Sequence, residues 1–188
     1  MNKYLIFVKH SLPQIIEGVP AREWHLSEEG KLRAEHLAQR LGAYQLEVIV
    51  SSFEPKAVET AQTISKVLKL ESTFAENLHE HDRSETRYLS SAEFQNAVRE
   101  FFSKPDELVF GNETAHAAHN RFSEAVYSLL DTHSNKQIAI VSHGTVISLF
   151  VSRMTGTSDY SLWQKLGLPG FVVLDINSKT LVMQENFS

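Results

Sequence analysis

The sequence predicts a three-layer α/β/α sandwich built on a mostly parallel sheet. Two observations carry this prediction. Short apolar runs alternate along the chain with stretches of helical periodicity. Two of these runs, Tyr4-Leu5-Ile6-Phe7-Val8 and Ile138-Ala139-Ile140-Val141, are hydrophobic throughout, as strands covered on both faces are. Each runs into a histidine, in Lys9-His10-Ser11 and in Ser142-His143-Gly144-Thr145. Open α/β sheets bind their ligands at the carboxyl ends of strands, so the two imidazoles are expected to share one pocket.

The elements follow in order. Residues 3–8 read as the first strand, and residues 11–25, which hold Pro13, Gly18 and Pro20, as a loop. Ser27 can cap a helix whose first turn carries Glu28 and Glu29. Ala34, Leu37, Ala38 and Leu41 then repeat at helical spacing until Gly42. Leu46–Val50 is a second strand, and Pro55 suits the first turn of a helix reaching about Leu68. Residues 73–90 look irregular and polar. Two helices are expected over 91–103 and 113–133, separated by Pro105, Gly111 and Asn112. After the His143 strand comes a helix from about Thr145 to Met154. Phe171–Ile176 and Leu181–Gln184 read as closing strands that pair as an edge hairpin.

The chain of 188 residues is 42% hydrophobic, which suits one domain over residues 1–188 with a sizeable core. The formal net charge is -5 with no basic stripe, which argues against nucleic acid as a partner. No cysteine is present, so disulfides, thiolate metal sites and thiol nucleophiles are excluded. The first apolar run is too short for a signal-peptide core or a membrane span. A soluble, cytoplasmic protein without a membrane partner is expected.

The residue types near the two histidines suit phosphoryl chemistry. A neutral imidazole at His10 can attack phosphorus and hold the phosphoryl group covalently. His143 precedes Gly144 at a strand-to-helix turn, where it can donate to a phosphate oxygen while the helix N–H groups complete an anion site. Lys9 and Lys56 are placed to neutralise phosphoryl oxygens, the main task in such a transfer. Glu80, in Leu78-His79-Glu80-His81-Asp82, is a candidate general acid, with Glu76, Asp82 and Glu85 as nearby alternatives.

The same residues, in order and context, resemble the histidine phosphatase superfamily, the phosphoglycerate-mutase-like fold, in its small bacterial phosphatase branch. The resemblance runs through Leu5–His10, Leu26-Ser27-Glu28-Glu29-Gly30 and Ser51–Thr63. It continues through Leu78-His79-Glu80, Gly111-Asn112-Glu113 with Arg121, Val141–Gly144, and Asp159–Trp163 with Leu168-Pro169. It implies that His10 is the phosphorylated nucleophile and Glu80 the proton donor. It also implies that Lys9, Lys56 and His143 form the phosphate pocket for a small phosphorylated substrate, with no metal and no cofactor.

The chain departs from the family at both cations. Lys9 and Lys56 stand where the family has arginine, and a serine follows His10. Lysine keeps the charge but loses the fork that grips two oxygens. One lost charge-assisted hydrogen bond is worth roughly 1.5–3 kcal/mol. Because both changed positions keep their charge and His10, Glu80 and His143 are all present, a phosphomonoester hydrolase is the leading expectation, and a weak or inactive binder of a phosphorylated ligand is the alternative. A phosphoglycerate mutase is disfavoured by the short region after Glu80. Histidine pairs 79/81 and 116/119 have ligand-like spacing, but solvated loop and helix positions explain them better. Glu113 and Arg121 can brace a helix, and His25 can line the pocket mouth. Among Trp24, Tyr88, Phe101, Phe102 and Trp163, packing roles outnumber substrate contacts.

Overall fold

The computed structural model describes residues 4–84, 86 and 89–187; Glu85 and Tyr88 lie outside them. Six strands form one sheet: β1 (Tyr4–Lys9), β2 (Val48–Ser51), β3 (Ser72–Phe74), β4 (Ile138–Ser142), β5 (Gly170–Asp175) and β6 (Thr180–Asn186). Their order across the sheet is β3-β2-β4-β1-β5-β6. β1, β2, β3 and β4 run parallel, and β5 and β6 add an antiparallel hairpin beside β1. The helices are α1 (Glu28–Leu41), α2 (Pro55–Leu68), α3 (Ser91–Ser103), α4 (Ala115–Thr132), α5 (Gly144–Thr155) and α6 (Asp159–Lys165).

Alternation along β1 divides the core. Ile6 and Val8 point to the face covered by α1 and α2, among Leu37, Leu41, Ala61 and Ile64. Leu5 and Phe7 point to the other face, among Phe101, Phe122, Val126 and Phe150 of α3, α4 and α5. The expected sandwich is therefore present, and β1 is buried on both sides.

The local signals act as their chemistry requires. Ser27 Oγ accepts the Gly30 N–H at 3.0 Å and caps α1. Pro55 occupies the first turn of α2, and Ser90 with Glu93 closes a capping box on α3. Gly30 is required by a close approach: a Cβ there would stand 2.1 Å from the Leu12 carbonyl oxygen.

Three expectations need correction. The stretch 73–90 is not wholly irregular, because Ser72–Phe74 adds a parallel edge strand to β2. Residues 159–165 form α6, capped by Ser158, where no helix was expected. The helix expected from residue 113 begins at Ala115, because Thr114 caps it by accepting the Ala117 N–H.

Candidate active site

Sheet register brings the two histidines together. β1 and β4 pair in parallel with Lys9 opposite Ser142, so both strands stop at the same level. The His10 N–H continues the ladder to the Ser142 carbonyl at 2.9 Å. The rings of His10 and His143 then face each other with centroids 5.1 Å apart.

His10 is 8% exposed, and its Nδ1 lies 2.8 Å from the Ser11 carbonyl oxygen. A carbonyl only accepts, so Nδ1 carries the proton and the lone pair stays on Nε2. Burial, with the cationic side chains and His143 nearby, holds the His10 pKa well below its ordinary value. The ring is thus neutral, with its lone pair on Nε2. Ser11, the residue after it, is structural: its Oγ donates to the Gly30 carbonyl at 2.6 Å and its N–H to Thr60 Oγ1 at 2.9 Å. These bonds tie the end of β1 to α1 and α2.

His143 is fully buried. Its Nε2 lies 3.0 Å from Ser52 Oγ and 3.4 Å from Glu54 Oε1, while its Nδ1 has no hydrogen-bond partner among the described residues. Burial and the charge of Lys56 keep this imidazole neutral as well.

The two lysines reach the same region but are engaged. Lys9 donates from Nζ to the Leu166 carbonyl at 2.8 Å. Burial lowers its pKa to about 8 against the pull of Glu80. Its stem lies across the start of α5, where a Cβ on Gly144 would meet Lys9 Cε at 3.1 Å. Lys56 is 5% exposed. It donates to the Ala21 carbonyl at 2.7 Å and forms an ion pair with Glu54. The loop of residues 11–25 therefore touches the pocket through its main chain.

Glu80 does not sit loose over the site. Its Oε2 accepts the Thr145 N–H at 3.2 Å, and its Oε1 accepts the N–H groups of His81 at 2.9 Å and Val146 at 3.4 Å. The amides at the start of α5, expected to wait for a substrate anion, are thus taken by a side chain of the chain itself. Burial raises the Glu80 pKa, but Arg83, His143 and these amides outweigh it and leave the pKa below the ordinary value. Arg121 pins the segment from behind. It donates to the carbonyls of Asn77 at 2.9 Å, His79 at 3.1 Å and Glu80 at 3.3 Å, and it pairs with Glu113 at 2.6 Å. Glu113 Oε1 also accepts the Asp82 N–H at 3.0 Å.

Other candidates fall outside the site. His81 packs against Phe101 and Phe110, with Nε2 donating to the Glu113 carbonyl. His116 pairs with Asp106, and His119 meets Asn120 and Ser123. His25 pairs with Glu59 at the surface. Phe101 and Phe102 belong to the core, Trp163 packs on Phe94 and Tyr160, and Trp24 donates to the Val19 carbonyl. Glu76 is exposed, and Asp82 binds the Ser84 N–H and Asn112. Two residues that the sequence reading passed over, Ser52 and Glu54, stand against His143. The signal for Glu54 was available: an acid two positions before a cation in the pocket segment.

Among the described residues no helix is long and apolar enough to cross a membrane. The chain matches the family model of the histidine phosphatase superfamily (branch 1) over residues 17–185. It is 26% identical over 143 residues to phosphoserine phosphatase 1 of Hydrogenobacter thermophilus, covering 73% of this chain and 68% of that one. A mycobacterial glucosyl-3-phosphoglycerate phosphatase, solved in complex with VO3, superposes with a TM-score of 0.76 at 19% identity, covering 99% of this chain and 100% of that one. The Entamoeba histolytica phosphoserine phosphatase, solved with 3-phosphoglyceric acid, gives a TM-score of 0.77 at 21% identity, covering 97% and 96% of the two chains. These structures share the fold. The family match extends over most of the sheet and both helical layers, and the chain belongs to the histidine phosphatase superfamily, branch 1.

Proposed function

We propose that the protein is a metal-independent phosphomonoester hydrolase that works through a phosphohistidine on His10. One observation carries this reading: a buried, neutral imidazole whose Nδ1 proton is held by the Ser11 carbonyl, leaving the Nε2 lone pair for phosphorus. His10 Nε2 forms the P–N bond as the ester P–O bond breaks. The leaving oxygen takes a proton from Glu80. In the second half, water gives a proton back to Glu80 and attacks phosphorus, and the P–N electron pair returns to Nε2. Lys9, Lys56, His143 and the turn at Gly144 hold the phosphoryl oxygens. Glu80 is ionised in the empty site. An entering phosphoryl dianion beside a partly buried carboxylate raises its pKa and loads the proton.

The relatives' names, phosphoserine and glucosyl-3-phosphoglycerate phosphatases, support a small phosphorylated acid as the substrate class. The test is phosphate release from an aryl phosphate, with and without chelator, for the wild type and His10→Ala. The expected result is chelator-resistant turnover and an acid-labile, alkali-stable phosphoenzyme, both lost in His10→Ala. Full activity in that variant overturns the reading.

A second reading, a phosphate-binding protein with little turnover, is favoured by the engagement of Lys56 by Glu54. It predicts saturable vanadate binding with turnover at background. Lys9→Arg with Lys56→Arg separates the two, because a large gain in rate marks intact but weakened machinery.

A further inference from the structure

Glu54 occupies ground that a substrate's oxygens need. It stands at the entry to α2, one residue before Pro55, and makes no side-chain cap to that helix. Its carboxylate turns into the pocket instead. One oxygen is paired with Lys56; the other accepts the Glu80 N–H at 2.9 Å and lies 3.4 Å from His143 Nε2. The side chain is 11% exposed, and its outer side borders a groove of about 260 Å³ lined by Arg22, Phe53, Asn77 and His79. A carboxylate so placed already supplies the negative charge that Lys56 and His143 would otherwise receive from a phosphoryl group. It also repels a second anion at close range, where enclosure weakens screening.

We propose that Glu54 is the internal counterion of the pocket, and that a phosphoryl group reaches Lys56 only by displacing it. Glu54 thereby sets the affinity of the site for doubly charged phosphoryl groups. The carboxylate acts through Lys56, so it is a positioning residue. The proposal rests on the reading of Lys56 and His143 as phosphate ligands. It also explains how a buried lysine without an arginine's fork is held in place.

The experiment compares the wild type with Glu54→Gln and Glu54→Ala, using inorganic phosphate and orthovanadate as probes. Binding is read by calorimetry and by ligand-induced shift in melting temperature, and KM and kcat by aryl phosphate hydrolysis. Gln keeps an oxygen for the Glu80 N–H and removes only the charge; Ala is the second variant if Gln folds poorly. The free variants are expected to melt lower, because Lys56 is left buried without a counterion. They are expected to bind phosphate at least tenfold more tightly, with a larger ligand-induced shift and a lower KM. The gain is expected to vanish when Lys56→Met is added. A purely structural ion pair lowers the melting temperature without tightening binding, and that result overturns the proposal. Tighter binding with no turnover in any variant leaves the proposal standing and removes the hydrolase reading. Turnover that depends on His10, with phosphate affinity unchanged in Glu54→Gln and Glu54→Ala, does the reverse.

Discussion

Arg121 donates to the main-chain carbonyl of Glu80, 41 residues earlier in the chain, and so holds the candidate acid from the backbone side. The same guanidinium also takes the carbonyls of Asn77 and His79. Its carboxylate partner Glu113 binds the next segment through the Asp82 N–H. The Arg121–Glu113 pair therefore fastens residues 77–82, a stretch with no regular structure of its own.

Arg121→Met is expected to release this segment. The pair with Glu113 is mostly enclosed, with side-chain exposures of 16% and 15%. Breaking one side of such a pair costs about 3 kcal/mol. In a chain of this size that is a fall in melting temperature of roughly 6–12 °C. Arg121→Lys is expected to recover little, since three carbonyls and a carboxylate need the fork. Thermal melts and kcat for the two variants check this, and a kcat within twofold of wild type in Arg121→Met contradicts it.

The Lys9 amine is expected to make phosphate binding and folding respond oppositely to alkali. Its pKa in the folded chain is about 8, against an ordinary 10.5. A bound phosphoryl group needs the ammonium, so phosphate affinity is expected to fall up to tenfold per pH unit above about pH 8. Between about 8 and 10.5 the unfolded chain binds more protons at this group than the folded one. The contribution of Lys9 to stability therefore rises with pH across that window. Lys9→Arg is expected to remove the alkaline loss of affinity, since guanidinium stays charged. Phosphate titrations at pH 7, 8 and 9 decide.

The paired imidazoles make the fold sensitive to acid. His10 and His143 both have pKa values well below the ordinary 6.5. As pH falls below about 6.5 the unfolded chain takes up protons that the folded chain refuses, so stability is complete above that pH and is lost below it. Each histidine contributes a slope of up to about 1.4 kcal/mol per pH unit. His10→Gln is expected to flatten the slope between pH 6.5 and 5 in urea unfolding. An unchanged slope shows that this imidazole does not resist protonation.

Gly30→Ala is expected to strain the joint between the loop and α1. The new Cβ meets the Leu12 carbonyl, which is fixed by the Ser27 N–H and hydroxyl at 3.0 and 3.1 Å. Overpacking of this kind costs about 1–3 kcal/mol. Because Ser11 Oγ donates to the Gly30 carbonyl, the shift is expected to reach His10 and lower kcat. Denaturant melts together with kinetics separate the two effects.

Much of this was legible in the residues. The apolar runs ending at His10 and His143 specified two central parallel strands, and register alone then brought the rings together. Ser27, Pro55 and the alternation in β1 worked locally, within a turn or a pleat. What escaped was short or distant. β3 has three residues, two of them exposed, and buries too little to show a pattern. α6 has seven residues and depends on packing against α5 and α3. Glu80 binds amides 65 and 66 residues away, a pairing that no periodicity encodes. Lys56 read as a free cation although Glu54 stands two positions before it, because the turn that aims this carboxylate into the pocket is displayed only by the folded chain.

The position of β1 in the sheet has a consequence during synthesis. Its two neighbours, β4 and β5, begin at residues 138 and 170, so β1 is made long before either strand it pairs with. Until then Tyr4–Val8, an uncharged hydrophobic segment, has no partner on either edge and suits pairing with other chains. Such late, long-range pairing slows folding and lengthens exposure. Shelter for the unpaired β1, from a chaperone or the ribosome surface, is therefore expected to raise the yield of folded protein.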